Sequence, residues 1–244
     1  QGTSASHMAA GKMLDAIARF PGMSGEEAAA YSAYTQAELG GPPTWITLPK
    51  HQWPKDWHGR YDASDSPVVR LRLSLYGHPL AGLYWERHCT AALKSLGWET
   101  VRGWECLFVH REAKLFLSVY VDDFKIAAPK NVIASLWAEL RKHIKMDDPT
   151  PPDRFLGCYT KRFEVGVEAL KSMLELQPEL LSRNGDEPMP FRFRDPRATA
   201  RGCVSDMTQY CRENVEKYLA SVGKTEASLR RAATPFLDES RVVP

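Results

Sequence analysis

The stretch that most constrains the fold is residues 114–128, in which two apolar segments flank a pair of adjacent carboxylates. Residues 115–121 and 124–128 are each short and apolar enough to be buried strands. Asp122 and Asp123 lie between them, and Asp is a common turn residue because its side chain bonds the local backbone. The pattern predicts a β-hairpin with both carboxylates in its turn.

These two carboxylates can be explained in more than one way. A carboxylate beside apolar strands has to be solvated, paired or metal-bound, because burying an unpaired charge costs several kcal/mol. Taken alone, Asp122 and Asp123 fit a solvated turn better than a metal site. Both interpretations stay open on these residues alone.

Four segments repeat apolar residues at helical spacing, and most end at Gly or Pro, which stop helices. They are residues 8–20, 79–97, 131–146 and 207–222. For the second of them, the predicted buried face carries Leu80, Leu83, Tyr84, Ala91 and Leu96, with Gly97 as a left-handed cap.

Three other segments give one expectation each. Residues 68–75 alternate apolar and polar side chains, which predicts a half-buried strand with Leu71, Leu73 and Leu75 on the inner face. Residues 26–39 favour a helix on intrinsic propensity. The acids in residues 147–153 are expected to cap and solvate a loop.

Composition excludes some classes of protein but selects none. The formal net charge of +2 is too small to indicate nucleic-acid binding without clustering of the basic residues. The five cysteines form no Cys-x-x-Cys pair, which predicts reduced thiols and an intracellular protein, cytoplasmic or nuclear rather than secreted. No apolar run reaches the ~20 residues of a membrane span, so no membrane partner is expected.

Several motifs occur in the order found in one known family. Tyr120-Val121-Asp122-Asp123 resembles the catalytic hairpin of copia-type retrotransposon reverse transcriptases. Residues 33–39, 75–87 and 155–163 resemble three other segments of that family. The resemblance implies an α/β (α+β) palm and fingers, with an antiparallel sheet and helices packed on one face.

The resemblance also implies an activity and a set of ligands. The family is an RNA-directed DNA polymerase that uses an RNA template, a DNA primer and Mg²⁺ or Mn²⁺. By the same likeness, Asp122 and Asp123 would be the catalytic, metal-binding residues. Tyr34 and Tyr120 would contact the nucleotide, and Lys161 and Arg162 would contact nucleic-acid phosphates.

One departure from the family pattern bears directly on activity. The metal-binding Asp of the strand beside the hairpin falls on Ala29, whose methyl group cannot ligate a cation. Glu26 and Glu27 would lie about 7 to 10 Å away along a strand, too far to substitute. The sequence thus implies impaired catalysis, with an inactive fold that serves as a structural or binding subunit among protein partners as the alternative.

The chain is expected to divide into three parts. Residues 1–170 would form the fingers and palm core, and residues 171–205 an insertion or loop. Residues 206–244 would add a helix and a tail to the palm.

Overall fold

The computed structural model describes residues 8–62, 64–175 and 199–230. Over these residues the chain has an α+β fold with antiparallel sheets, as predicted. The strands are β1 (Met23–Ala29), β2 (Trp45–Thr47), β3 (Val68–Arg70), β4 (Glu99–Thr100), β5 (Leu107–His110), β6 (Leu115–Tyr120), β7 (Asp123–Pro129), β8 (Arg154–Phe155), β9 (Cys158–Gly166) and β10 (Thr199–Asp206). The helices are α1 (Met8–Ala18), α2 (Ala81–Ser95), α3 (Ile133–Leu140), α4 (Val167–Glu175) and α5 (Thr208–Ser221).

The main sheet contains five strands in the order β1-β7-β6-β5-β4. Strands β6 and β7 form the predicted hairpin, but its turn is shifted by one residue. Asp123 is already the first residue of β7 and pairs with Tyr120, so Val121 and Asp122 make the turn. Only one of the two carboxylates is therefore at the tip, and the other is on a face of the sheet.

One face of the main sheet is covered by α2 and α3. Phe124, Ile126 and Leu117 of the sheet pack with Trp85 of α2 and Trp137 of α3 in the larger core cluster. The predicted inner face of α2 is only partly correct. Tyr84 and Leu96 are half-buried and pack against this core, but Ala91 is exposed and the buried residues are Ala81, Trp85, Cys89 and Leu93. Gly97 does have the left-handed backbone of the predicted cap, with φ of 84°.

The opposite face is covered by α1, so the expectation that the helices pack on one face is wrong. Ala10 and Leu14 of α1 pack against Leu107 and Ala127. Alternate residues of β7 point to opposite faces, and on the face that meets α1 both Lys125 and Ala127 are buried. Gly25 allows the close approach, since a Cβ there would lie 2.8 Å from the Cβ of Ala18.

The segment that follows α1 is a strand, so the propensity for helix in residues 26–39 is overridden by tertiary contacts. Strand β1 ends at Ala29, and a single 3-10 turn, Ala33–Gln36, follows it. The outer edge of β1 is covered by the chain after α3, because Glu27 and Thr150 exchange backbone hydrogen bonds of 2.8 and 2.9 Å. This segment brings Asp147 and Asp148 next to β1.

The strand predicted over residues 68–75 is mostly absent. Only Val68–Arg70 is a strand, paired with β2 in a small sheet. Leu73 and Leu75 are 46% and 38% exposed, whereas Ser74 between them is buried. The predicted inner face holds for Val69 and Leu71, which are half-buried between exposed neighbours, and fails for Leu73 and Leu75, because the backbone leaves β3 after Arg70.

A second sheet of three strands, in the order β10-β9-β8, is built from the hairpin at residues 154–166 and from β10. Strand β10 pairs with β9 along its whole length, from Thr199 to Asp206. It was not predicted from the sequence. The predicted helix at 207–222 is confirmed as α5, whereas residues 176–198 and the tail 231–244 lie outside the described residues. The three-part division of the chain remains a prediction.

No helix within the described part of the chain is long and apolar enough to cross a membrane.

Candidate active site

The tip of the β6–β7 hairpin is held by α2. Val121 has a φ of 55°, a left-handed conformation that β-branched residues rarely adopt. Its carbonyl accepts a 2.6 Å hydrogen bond from Nε1 of the buried Trp85. This bond and the backbone hydrogen bond from the Ala30 amide to the Asp122 carbonyl, 2.7 Å, fix the turn between two elements.

Ala29 lies directly opposite Asp123. The register of β1 against β7 pairs these two residues, and side chains of directly paired residues lie on the same face with Cβ atoms about 4.5–5.5 Å apart. Both residues line a cavity of about 330 Å³. The methyl group of Ala29 therefore occupies the position from which a longer acidic side chain would reach the Asp123 carboxylate.

Glu27 shares this cavity, although the sequence had suggested that it lies too far away. It is two residues before Ala29 on the same face of β1, and it lines the cavity together with Asp123. Glu26 belongs to the other face by alternation. The Glu27 carboxylate accepts backbone hydrogen bonds from Asp153 and Arg154 at 2.8 and 3.2 Å through Oε1. Its Oε2 is buried and accepts no hydrogen bond from the described residues.

Two acids that the sequence assigned to a solvated loop also line the cavity. Asp147 and Asp148 follow α3, and the Asp147 amide donates a 2.9 Å hydrogen bond to the Ala29 carbonyl. Asp148 forms an ion pair of 2.6 Å with Arg141. The hydrogen bond between Tyr31 and Asp147 raises the pKa of the Tyr31 hydroxyl. The adjacency of this segment to β1 could not be read from the sequence, because it depends on how the chain returns after α3.

The carboxylates repel one another. Burial raises the pKa of Asp123 to about 6, and the charges of Asp122 and Glu27 add to the effect. Burial also raises the pKa of Glu27, against the opposing effects of its backbone hydrogen bonds and of Lys125. Raised carboxyl pKa values in a cavity are typical of functional sites, since structure alone gains nothing from crowded like charges.

Comparison with known proteins identifies the family of about half of the chain. Residues 53–172, about half of the chain, match the family model described as reverse transcriptase (RNA-dependent DNA polymerase). This matched stretch contains the acidic hairpin, α2 and the β8–β9 hairpin. It is a copia-type reverse-transcriptase domain.

A relative supports the same family assignment. A stretch of 93 residues is 33% identical to a protein of Saccharomyces cerevisiae (strain ATCC 204508 / S288c) named "Putative transposon Ty5-1 protein YCL074W". The match covers 37% of this chain and 30% of that protein. The chain thus matches less than a third of the length of this curated relative.

The metal-binding carboxylates expected of a reverse transcriptase are only partly present. Asp123, Glu27 and Asp147 share one cavity, and Asp122 lies at the adjacent turn. Within the described ranges no group of three or more His, Cys, Asp or Glu side chains is arranged to hold a metal ion. Asp147 is engaged with Tyr31, Glu27 with the backbone, and position 29 supplies a methyl group. These side chains do not fit the two-ion arrangement.

The two predicted nucleotide contacts, Tyr34 and Tyr120, belong to different elements. Tyr34, in the 3-10 turn after β1, stacks on Tyr76 with ring centroids 4.6 Å apart. Tyr120 is half-buried at the end of β6, opposite Asp123. The backbone joins residues 37–39 to residues 72–74, for example through a 2.9 Å hydrogen bond from the Ser74 amide to the Ala37 carbonyl. The contact between Tyr34 and Tyr76 thus brings together the two family-like segments 33–39 and 75–87.

The two predicted phosphate contacts of the reverse transcriptase point to opposite sides of β9. Lys161 forms an ion pair of 2.6 Å with Asp206 and lowers the pKa of that carboxyl. Arg162 is the next residue and lines a different cavity, next to α1. Adjacent residues of a strand alternate between its faces, so the two cannot act on the same phosphate.

The raised pKa of Asp123 predicts a pH-dependent cost to stability. The unfolded carboxyl ionises near pH 3.8 and the folded one near pH 6, so the free energy of unfolding falls as the pH rises through this window. Because Asp123 is half-exposed, solvent screening reduces the cost to about 1 kcal/mol above pH 7. We expect Asp123→Asn to gain about 1 kcal/mol over the wild type between pH 4 and pH 8 in urea unfolding, and Glu112→Gln, on an exposed turn, to show no such trend. If the free energy of unfolding followed the same pH dependence in all three proteins, the raised pKa of Asp123 would be contradicted.

Proposed function

We propose that this chain is a copia-type RNA-directed DNA polymerase domain whose catalysis is impaired at one position. The register that pairs Ala29 with Asp123 carries the proposal. A carboxylate from each of two neighbouring strands is needed to hold a pair of divalent ions, and here one strand supplies a methyl group. The polymerase lineage is shared with the matched family, and the impairment belongs to this chain.

The proposed architecture is a palm with a fingers region beside it. The main sheet would be the palm, because it holds the acidic hairpin next to the edge strand β1. The small sheet of β2 and β3, with the Trp53, Trp57 and Tyr61 cluster beside it, would be part of the fingers. An RNA template and a DNA primer would then lie across the acidic cavity.

In this proposal the remaining acids hold a divalent cation weakly. Asp122 and Asp123 would be the catalytic and metal-binding residues, joined by Glu27, whose Oε2 lies 3.9 Å from Nζ of Lys125 and has no hydrogen-bond partner among the described residues. Mg²⁺ or Mn²⁺, when bound, would stabilise negative charge on reacting oxygens. Tyr34, backed by Tyr76, would provide the surface against which the sugar of a nucleotide rests. Tyr120 would also contact the nucleotide.

Primer extension tests the proposal directly. We expect the wild-type protein to extend a DNA primer on an RNA template slowly, and Asp123→Asn to lose at least about tenfold of that rate, since a neutral amide is a weaker cation ligand. Glu112→Gln, in the exposed turn between β5 and β6, is the matched control and should retain the rate. An extension rate that Asp123→Asn leaves unchanged would refute the assignment of this site.

A second function is favoured by the surface of α5. Its side chains Val215, Tyr218 and Val222 are 41%, 57% and 44% exposed, an unusual share of apolar area for a solvent-facing helix. This favours an inactive polymerase fold that serves as a structural or binding subunit for protein partners. A folded wild type without extension activity, together with an inactive Ala29→Asp variant, would support this function over the first.

A further inference from the structure

A second cavity lies between α1 and the three-stranded sheet, away from the acidic hairpin. It measures about 190 Å³ and is lined by both ends of the α1–β1 connection and by one face of β9 and β10. Gly25 of β1 lines it, four residues before Ala29, which is about 14 Å along the strand. It is therefore a separate space from the cavity that contains Asp123.

Four cationic side chains converge on this cavity from four different elements. Arg19 follows α1, Lys130 follows β7, Arg162 is on β9 and Arg201 is on β10. No ion pair joins Lys130, Arg162 or Arg201 to any residue that the structure describes. Like charges that line one cavity of about 190 Å³ lie within a Debye length of one another, so their mutual repulsion is relieved when an anion binds between them.

The acid that lines the cavity does not neutralise these charges. Asp15 is bound by Lys125 at 2.8 Å and accepts a hydrogen bond of 3.2 Å from Thr160. Lys125 therefore neutralises Asp15, which leaves the four cationic side chains of the cavity without a counter-charge among its lining residues.

Arg19 carries the most specific sign of a missing ligand. Its Nη2 donates a 3.0 Å hydrogen bond to the carbonyl of Phe163, which fixes the guanidinium between α1 and β9. Its Nε is buried and has no hydrogen-bond partner among the described residues. A buried donor without an acceptor is unfavourable, and an anion in the cavity would supply the acceptor.

We propose that this cavity is a binding site for a phosphate group. Arginine forms bidentate hydrogen bonds with phosphate, and three of the four cationic side chains are arginines. The phosphate would come from a nucleic-acid backbone or from a free anion such as pyrophosphate. The site needs neither the divalent cation nor the hairpin carboxylates, so it does not rest on the proposed polymerase activity.

The test measures anion binding without divalent cations. A fluorescently labelled single-stranded oligonucleotide is titrated by anisotropy, and pyrophosphate is titrated by thermal shift, each in EDTA. We expect the double variant Arg162→Met/Arg201→Met to bind at least about tenfold more weakly than the wild type, and its salt slope for the oligonucleotide to fall by about one. Arg111→Met is the control: Arg111 lies in the turn after β5 and pairs with Glu99, so this variant should bind like the wild type.

The pattern of results identifies the source of the phosphate and can overturn the proposal. Loss of oligonucleotide binding alone assigns a backbone phosphate, and loss of pyrophosphate binding alone assigns a free anion. If the double variant does not fold, the single variant Lys130→Met replaces it, because Lys130 is exposed and lies outside the strands. It should also bind more weakly than the wild type. Titrations of the folded variants that coincide with the wild type would overturn the proposal, whether or not the chain extends a primer.

Discussion

The Ala29→Asp variant is expected to extend a primer about 10- to 100-fold faster than the wild type. The new carboxylate would lie opposite Asp123, in a cavity of about 330 Å³ that has room for it. A further carboxylate raises the affinity of an oxygen-ligand site for a divalent cation through ligand charge. The variant should also bind Mn²⁺ more tightly by about the same factor, as measured by isothermal titration.

Without a cation, the same substitution should lower stability. A third carboxylate beside Asp123 and Glu27 adds to the repulsion that already raises the pKa of Asp123. The melting temperature of Ala29→Asp is thus expected to fall below that of the wild type in EDTA and to rise above it in Mn²⁺. The isosteric control Ala29→Asn has the same shape without the charge and should show neither change. A variant that gains no Mn²⁺ affinity would show that the loss of this ligand is not the defect.

The hairpin and most helices could be predicted from the sequence because each depends on local periodicity. The apolar runs on either side of Asp122 required two strands, and the helical spacing before Gly97 and Gly223 required helices with glycine stops. The strand at residues 68–75 failed for the converse reason. Alternation shows that one face is buried but not for how many residues the strand continues. That length is set by antiparallel pairing with β2, whose first residue, Trp45, pairs with Arg70, the last residue of β3.

The composition of the acidic cavity could be predicted only in part. Asp123 and Ala29 came from motifs, whereas Glu27, Asp147 and Asp148 depend on contacts across the sheet edge. Glu27 was discounted because a strand places residues two apart about 7 Å from each other. Its side chain nevertheless reaches the shared cavity, since side chains two residues apart lie on the same face.

The buried ion pair left no signal in the sequence at all. Asp15 occurs within an amphipathic helix and Lys125 within an apolar strand, and neither pattern indicates a partner for the charge. Both are buried, at 6% and 1% exposure, and Nζ of Lys125 is 2.8 Å from Asp15 and 3.9 Å from Glu27. Lys125 thus joins α1 to the strand that begins with Asp123, and it holds a positive charge beside the acidic cavity.

Replacement of Lys125 by Met is expected to lower the free energy of unfolding by about 3–5 kcal/mol. The substitution keeps most of the apolar stem but leaves the buried carboxylates of Asp15 and Glu27 without their cation, and an uncompensated buried charge is the costly outcome of breaking such a pair. Urea unfolding at pH 7 measures the loss. Lys142→Met is the matched control: its ion pair with Glu139 is also short, at 2.6 Å, but 63% and 52% of the two side chains are exposed. It should cost less than about 1 kcal/mol.

The double variant Asp15→Leu/Lys125→Met separates the two possible origins of that loss. If the cost comes from unpaired charge, removal of both partners should recover most of the stability, because buried ion pairs are often replaced by apolar residues at little cost. Glu27 keeps its two backbone hydrogen bonds and, with its raised pKa, can take up a proton. If the double variant is instead as unstable as Lys125→Met, the ammonium group is needed for Glu27 and the adjacent acids. Lys125 would then act as a fixed counter-charge of the acidic cavity.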